Sequence, residues 1–333
     1  AKALTVTASS DDGGELSYQW QKSADNEEFA DIEDADGAEY VPPTDKAGLS
    51  YYRVIVTSVI GKGTASEVSA SATSPAAAVT VKDSTAVKSP ARSAESAAPE
   101  GKGTKAEPYR LATADDLMWF AEQVNKTAKK STSALCAVLT ADIDLTGRDW
   151  TPIGTMTNTY SDYIAYGGVF DGNGKTISGI NINNSSKYQA LIGYAKGAEV
   201  KDLTVTGSIK TSAEYAAGIV AYGNPVTTTD CTNAVTVSSA KYAAGIAASA
   251  GTGTVISGCR NTAPVSAAGD YLGGVVATAT GKTEIKSCFN SAAVTNSGKP
   301  GGYVYCTGGI AGSASSDSVI SMCGNTGEIT STI

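Results

Sequence analysis

The chain has 333 residues, of which 41% are hydrophobic and 17% charged, enough for two domains and a sizeable buried core. Its formal net charge of -8 argues against a nucleic-acid partner, because phosphate binding needs a basic face, and no apolar run is long enough to span a bilayer. Histidine is absent altogether, which removes the commonest general base, the commonest zinc ligand and every Ser-His or Cys-His nucleophile arrangement.

Thirty-six glycines and 16 tyrosines, beside only 4 Phe, 3 Met and 3 Trp, point to many short strands and turns. Residues 1–82 alternate apolar and polar in LTVTA, LSYQW and YYRVIVTS, with turn clusters such as SSDDGG between them, the pattern of a small all-β sandwich. Trp20, Tyr52 and Val54 stand where that region resembles the immunoglobulin-like domains of bacterial surface proteins. The resemblance implies that Trp20 is the core tryptophan, that Tyr52 is the tyrosine-corner residue, and that Val54 replaces the second cysteine, so the inter-sheet disulfide is missing. Residues 83–107 are Ser, Ala, Pro, Lys and Glu without an aromatic, which reads as a flexible linker.

Residues 108–333 open with a helix expected over about 113–126. Thr113 followed by Asp116 makes a capping-box start, and Leu117, Phe120, Ala121 and Val124 form one apolar face. That face calls for a covering role over the first coil of whatever follows.

Beyond the helix, a Cys-x-Asn element recurs at Cys231/Asn233, Cys259/Asn261, Cys288/Asn290 and Cys323/Asn325, with steps of 28, 29 and 35 residues. A Tyr-x-x-Gly element recurs at Tyr215, Tyr242 and Tyr271, and Tyr188 continues it backwards. A fixed period in the twenties marks a solenoid whose units stack only on their neighbours. One unit, TVISGCRNTAPVSAAGDYLGGVVAT, holds three strands, expected as VISGC, APVSA and YLGGVVAT: one coil of a parallel β-helix, each coil advancing about 4.8 Å. The recurring cysteines are then expected as an inward ladder of free, buried thiols, because their Cβ vectors run parallel and suit a disulfide poorly; Cys136 and Cys306 stay open. The recurring asparagines read either as left-handed turn residues or as a hydrogen-bonded ladder. The longer step before Cys323, with SGKPGGYVYCTGG inside it, predicts an extruded loop.

PYRLATADDLMWFAEQVNK, VLTADIDLTGRDWTPIG, GGVFDGNGKTISGININ and the Gly-Ile-Val-Ala repeats, in that order, resemble secreted bacterial proteins with GLUG-type repeats. The resemblance covers about residues 105–333 and implies a right-handed parallel β-helix, extracellular or wall-attached, in a family with many adhesins and no single agreed activity. The chain opens without a charged, apolar signal core and stops at EITSTI inside a repeat, the pattern of an excised segment.

Residues with chemical potential are few. Asp142 and Asp144 in ADIDL share a strand face, a spacing that could hold a metal ion or an acid/base pair, and with Asp149, Asp162 and Asp171 in the neighbouring loops they are candidates for a calcium site, although carboxylates in such places more often satisfy backbone groups. Tyr160, Tyr163 and Tyr166 in one loop, with Tyr303 and Tyr305 in another, are candidate anchors for a sugar or a protein. Asp171 in FDGNGKT reads as a turn residue. The expectation is therefore an all-β, non-catalytic segment displaying a ligand site for a host or environmental glycan or matrix protein, without a required cofactor. The alternative is a polysaccharide hydrolase, lyase or glycan-binding module.

Overall fold

A side chain repeated at one place in successive coils meets its own copies, and that stacking organises most of the molecule. The computed structural model describes residues 3–11, 13–43, 48–81, 98–157, 162–298 and 306–331, and the chain divides into two compact units, residues 1–90 and 91–333.

In the first unit, Glu15–Ser23 pairs antiparallel with Gly48–Ile60, and Ala30–Asp31, Val68–Thr73 and Ala77–Val81 extend that sheet. Leu4–Thr5 pairs with Glu39–Tyr40 in a second, two-stranded sheet. Trp20, Tyr52 and Val54 are buried, with Tyr40 stacked on Trp20 at 5.8 Å and the indole N–H donating to the Gly37 carbonyl at 2.9 Å. The tryptophan thus buries a large apolar ring without orphaning its one donor.

The second unit is a parallel β-solenoid of about six turns. Its described residues begin at 98, inside the stretch expected as a linker. Arg110 N–H donates to the Glu100 carbonyl at 2.7 Å and Cys136 N–H to the Gly103 carbonyl at 2.8 Å, so backbone pairing orders a segment whose composition offers little to bury. The helix spans Ala114–Asn125 and keeps the expected capping box: Asp116 N–H donates to Thr113 Oγ1, and the Asp116 carboxylate accepts from Thr113 N–H. Its buried face, Leu117, Phe120, Ala121 and Val124, packs into the main core beside Tyr166 and Phe170.

One sheet of the solenoid runs through Val169–Asn184 and Ala198–Thr211 into the strands carrying the Cys-x-Asn element. A second stacks Tyr163–Tyr166, Ile192–Ala195, Val220–Gly223, Ala247–Ala250, Val276–Ala279 and Ala311–Ala314. A third stacks Tyr215–Ala217, Tyr242–Ala244, Tyr271–Gly273 and Cys306–Gly308. The stretch YLGGVVAT, expected as one strand, is therefore two, Tyr271–Gly273 and Val276–Ala279, with a corner between them.

The physical reason for that corner is the asparagine ladder. Asn233, Asn261 and Asn290 are fully buried, and each side-chain amide donates to the carbonyl of the next: 2.7 Å from Asn233 to Asn261, 2.7 Å to Asn290 and 2.6 Å to Asn325. The ladder needs room, which the corner glycines leave. A Cβ at Gly245 would lie 2.5 Å from Asn261 Cγ and 2.5 Å from the Gly274 carbonyl, and Gly218, Gly274 and Gly309 face Asn233, Asn290 and Asn325 in the same way. The two elements that recur in the sequence are thus two halves of one contact. The asparagines do not serve as left-handed turn residues; Asp202, Asp230 and Ser287, each just before an inward Leu203, Cys231 or Cys288, take that role with φ of 52°, 51° and 54°.

All six cysteines are free. Cys231, Cys259 and Cys288 are buried, and Cys136 is buried too, while Cys306 and Cys323 are half-buried. The Cys259 thiol donates to the Ser257 carbonyl at 3.4 Å, and the other ladder thiols make equivalent bonds. The neighbouring Cys231 thiol and burial push Cys259 well above the ordinary thiol range, Cys259 and burial do the same for Cys288, and burial raises Cys323. The Cys259 and Cys288 thiols then stay protonated in the fold where they ionise in the unfolded chain, so their contribution to stability is complete below about pH 8.5 and is lost as the pH rises above it. Each such thiol steepens the decline by about 1.4 kcal/mol per pH unit. Urea unfolding between pH 7 and 10 checks this: Cys259→Ala should show the shallower decline, and equal slopes would mean the native thiols ionise.

Candidate functional site

In the third sheet Ala216, Ala243 and Leu272 point into the main core, so their neighbours in sequence point outward. The outward residues are Tyr215, Tyr242 and Tyr271, and Tyr188 stands at the head of their row. The rings stack: Tyr188 on Tyr215 at 4.9 Å and 10°, Tyr215 on Tyr242 at 4.3 Å and 6°, Tyr242 on Tyr271 at 5.6 Å and 20°. Tyr222 sets its ring edge-on to Tyr188 and Tyr215, and Tyr163 and Tyr194 continue the cluster at 5.3 Å. Beneath these rings lie Ala165, Ala190, Ala217, Ala221 and Ala248, a second apolar cluster separate from the main core. Small residues under large ones make a seam along the bend between the second and third sheets, walled by aromatic edges.

Charge along the seam alternates. Lys187, Glu214, Lys241 and Asp270 immediately precede the four stacked tyrosines. Glu214 accepts from Lys187 at 2.8 Å and lies 3.6 Å from Lys241, and the Lys187 bond, with Lys241 beyond it, holds the Glu214 carboxyl below its usual range. Burial raises the Tyr242 phenol, with the Asp270 charge adding to it. The seam therefore offers neutral aromatic and hydroxyl surface with its charges largely paired among themselves.

The residues expected to form a site fare differently. Tyr163 joins the seam, half-buried against Tyr194. Tyr166 is fully buried among Phe120 and the main core, which corrects its expected role as a ligand anchor. Strand geometry explains the difference: Tyr163 and Ala165 share the outer face, and Tyr166, of opposite parity, must point inward. Tyr160, Tyr303 and Tyr305 lie outside the described residues, as does the centre of the expected extruded loop. Sequence reasoning saw Tyr188, Tyr215, Tyr242 and Tyr271 only as a repeat element and missed them as a site; the signal that could have found them is their shared period, which lines up side chains along the axis.

Asp142 and Asp144 satisfy backbone groups. Asp142 accepts from Thr176 N–H at 2.8 Å; Asp144 accepts from Thr146 N–H at 2.9 Å and its hydroxyl at 2.6 Å. Asp171, expected in a turn, lies instead within the strand Val169–Asn184, where it accepts from Asn173 N–H at 2.8 Å at a register shift and pairs with Lys201 at 3.0 Å. With Asp202 and Asp230 it borders a depression of about 300 Å³ on the outer corner of the first sheet. Among the described residues no three Cys, Asp or Glu side chains form a group fit to hold a metal ion. Among the same residues no helix is long and apolar enough to cross a membrane.

Residues 1–83 match the model of a family described as Domain of unknown function (DUF8696). No curated protein and no solved structure matches the chain.

Proposed function

We propose that the chain is a non-catalytic ligand-display segment of an extracellular bacterial surface protein, adhesive through the tyrosine seam of its solenoid. The observation that carries this reading is the stack Tyr188–Tyr215–Tyr242–Tyr271, an aromatic row in register over four coils in which Tyr188 is buried and the other three rings are half-exposed. Such rows supply contact area at low entropic cost, because the rings are already packed before any ligand arrives. The interior, by contrast, is committed to structural ladders. The same reading takes the first unit as an immunoglobulin-like spacer, the helix as the cap of a right-handed coil, and the repeats as GLUG-type. The ligand class is a glycan or a matrix protein.

A glycan and matrix-protein array, run with and without calcium, tests it. The intact chain should give a reproducible hit, weakened roughly 30-fold or more by Tyr242→Ala, the loss typical of a central aromatic anchor. Silence on every spot with folded protein would overturn the reading. The polysaccharide-acting alternative draws on the acidic corner of Asp171, Asp202 and Asp230. New reducing or unsaturated ends released from the arrayed glycans would replace display with catalysis.

A further inference from the structure

We infer that the depression of about 330 Å³ at the head of the tyrosine stack, between Thr155 and the Asn184–Gln189 turn, binds one neutral sugar residue, the terminal unit of a glycan. The inference rests on the ligand-display reading and names its chemistry.

The first argument is backbone strain. Of the four stacked tyrosines only Tyr188 has a positive φ, +59°. A bulky side chain avoids that region, and such conformations persist only where the surroundings over-determine them, commonly at ligand sites. Here four side-chain bonds hold the turn: Asn184 Oδ1 accepts from Ser186 N–H at 3.0 Å, Asn184 Nδ2 donates to Gln189 Oε1 at 3.0 Å, Gln189 Nε2 donates to the Lys187 carbonyl at 2.7 Å, and Thr211 Oγ1 donates to the Ser186 carbonyl at 2.7 Å. The other three tyrosines reach the stack from ordinary strands. Stacking alone therefore does not require the strained turn. What the turn adds is a wall of amides and hydroxyls beside the Tyr188 ring.

The second argument is the composition of that wall. Thr155 and Ser186 bring hydroxyls, and Asn184 and Gln189 each bring a primary amide with two N–H groups, of which the bonds above use one. Mixed donors and acceptors beside an aromatic ring suit a polyol. Lys187 is the one charged group lining the depression, and its ammonium is drawn to Glu214 at 2.8 Å, so a neutral ligand is favoured over an anion. The volume sits at the small end of ligand pockets, about 300–1,000 Å³, which suits one sugar ring rather than a chain.

Saturation-transfer NMR on the full chain tests this with the methyl glycosides of glucose, galactose, mannose and N-acetylglucosamine. At least one should bind, with its dissociation constant weakened tenfold or more by Thr155→Arg, which fills the depression, and by Gln189→Leu, which removes an amide at similar volume. Met118→Ala, exposed on the helix and outside the depression, should change it less than twofold. No signal from any glycoside, or a signal that either folded variant leaves intact, overturns the site. Array binding by the wild type with no glycoside signal sinks the pocket and leaves ligand display standing. Glycoside binding with a silent array does the reverse.

Discussion

Asn261→Leu is expected to lower the stability of the second unit by about 3–5 kcal/mol. Asn261 is fully buried in the middle of the amide ladder, donating to Asn290 and accepting from Asn233, both at 2.7 Å. A leucine fills a similar volume but makes neither bond. It leaves one donor on Asn233 and one acceptor on Asn290 with lost partners, each costing about 1–3 kcal/mol where water cannot replace them. Its second methyl also faces Gly245, in a gap already too tight for a Cβ. Val205 pairs in register with Asn233 at one end of the ladder, so the fold tolerates an apolar residue there; the penalty is specific to an interior break. Urea unfolding followed by Trp119 and Trp150 fluorescence, in a Trp20→Phe background, reads the second unit alone. A loss under 1 kcal/mol would show that shape, and not amide pairing, sets this position. Gly245→Ala and Asn261→Ala should be strongly coupled in a double-mutant cycle, because the Cβ of one needs the space of the other.

Phe120→Ala should cost about 3–5 kcal/mol, the range for emptying a large aromatic site in a packed core. Phe120 is fully buried and meets Tyr109 at 6.5 Å, Tyr166 at 6.0 Å and Phe170 at 6.0 Å, so one ring joins the helix to the first strands of the solenoid. Met118, 36% exposed on the same helix, is the control, and its alanine variant should stay within about 0.5 kcal/mol of wild type. Hydrogen exchange adds a positional readout. Amides of Tyr109–Leu111 and Ala137–Leu139 should lose protection first in Phe120→Ala, because the helix that covers the core beside them is loosened. Uniform loss along all coils would mean the solenoid unfolds as one cooperative block from either end.

The sequence alone determined what depends on spacing along the chain. Cysteines 28 and 29 residues apart had to lie above one another once the chain coiled, and the apolar side of the repeat had to turn inward, so the ladder of free thiols at Cys231, Cys259 and Cys288 follows from period and polarity. The helix was legible for the same reason: a capping box and a 3.6-residue apolar stripe are local. Only the tertiary structure decided what depends on the other coils. The pairing of each asparagine with its copies, and of each corner glycine with an asparagine about 16 residues ahead in the chain, needs two coils in register before it exists. The split of YLGGVVAT into two strands follows from that pairing. The tyrosine seam likewise arises from the bend between two sheets, an angle that no spacing encodes, and its electrical neutrality arises from Glu214 meeting lysines of the coils on either side. A linear pattern specifies which residues recur; close packing between coils specifies what each recurrence touches, and contact rather than recurrence makes a site.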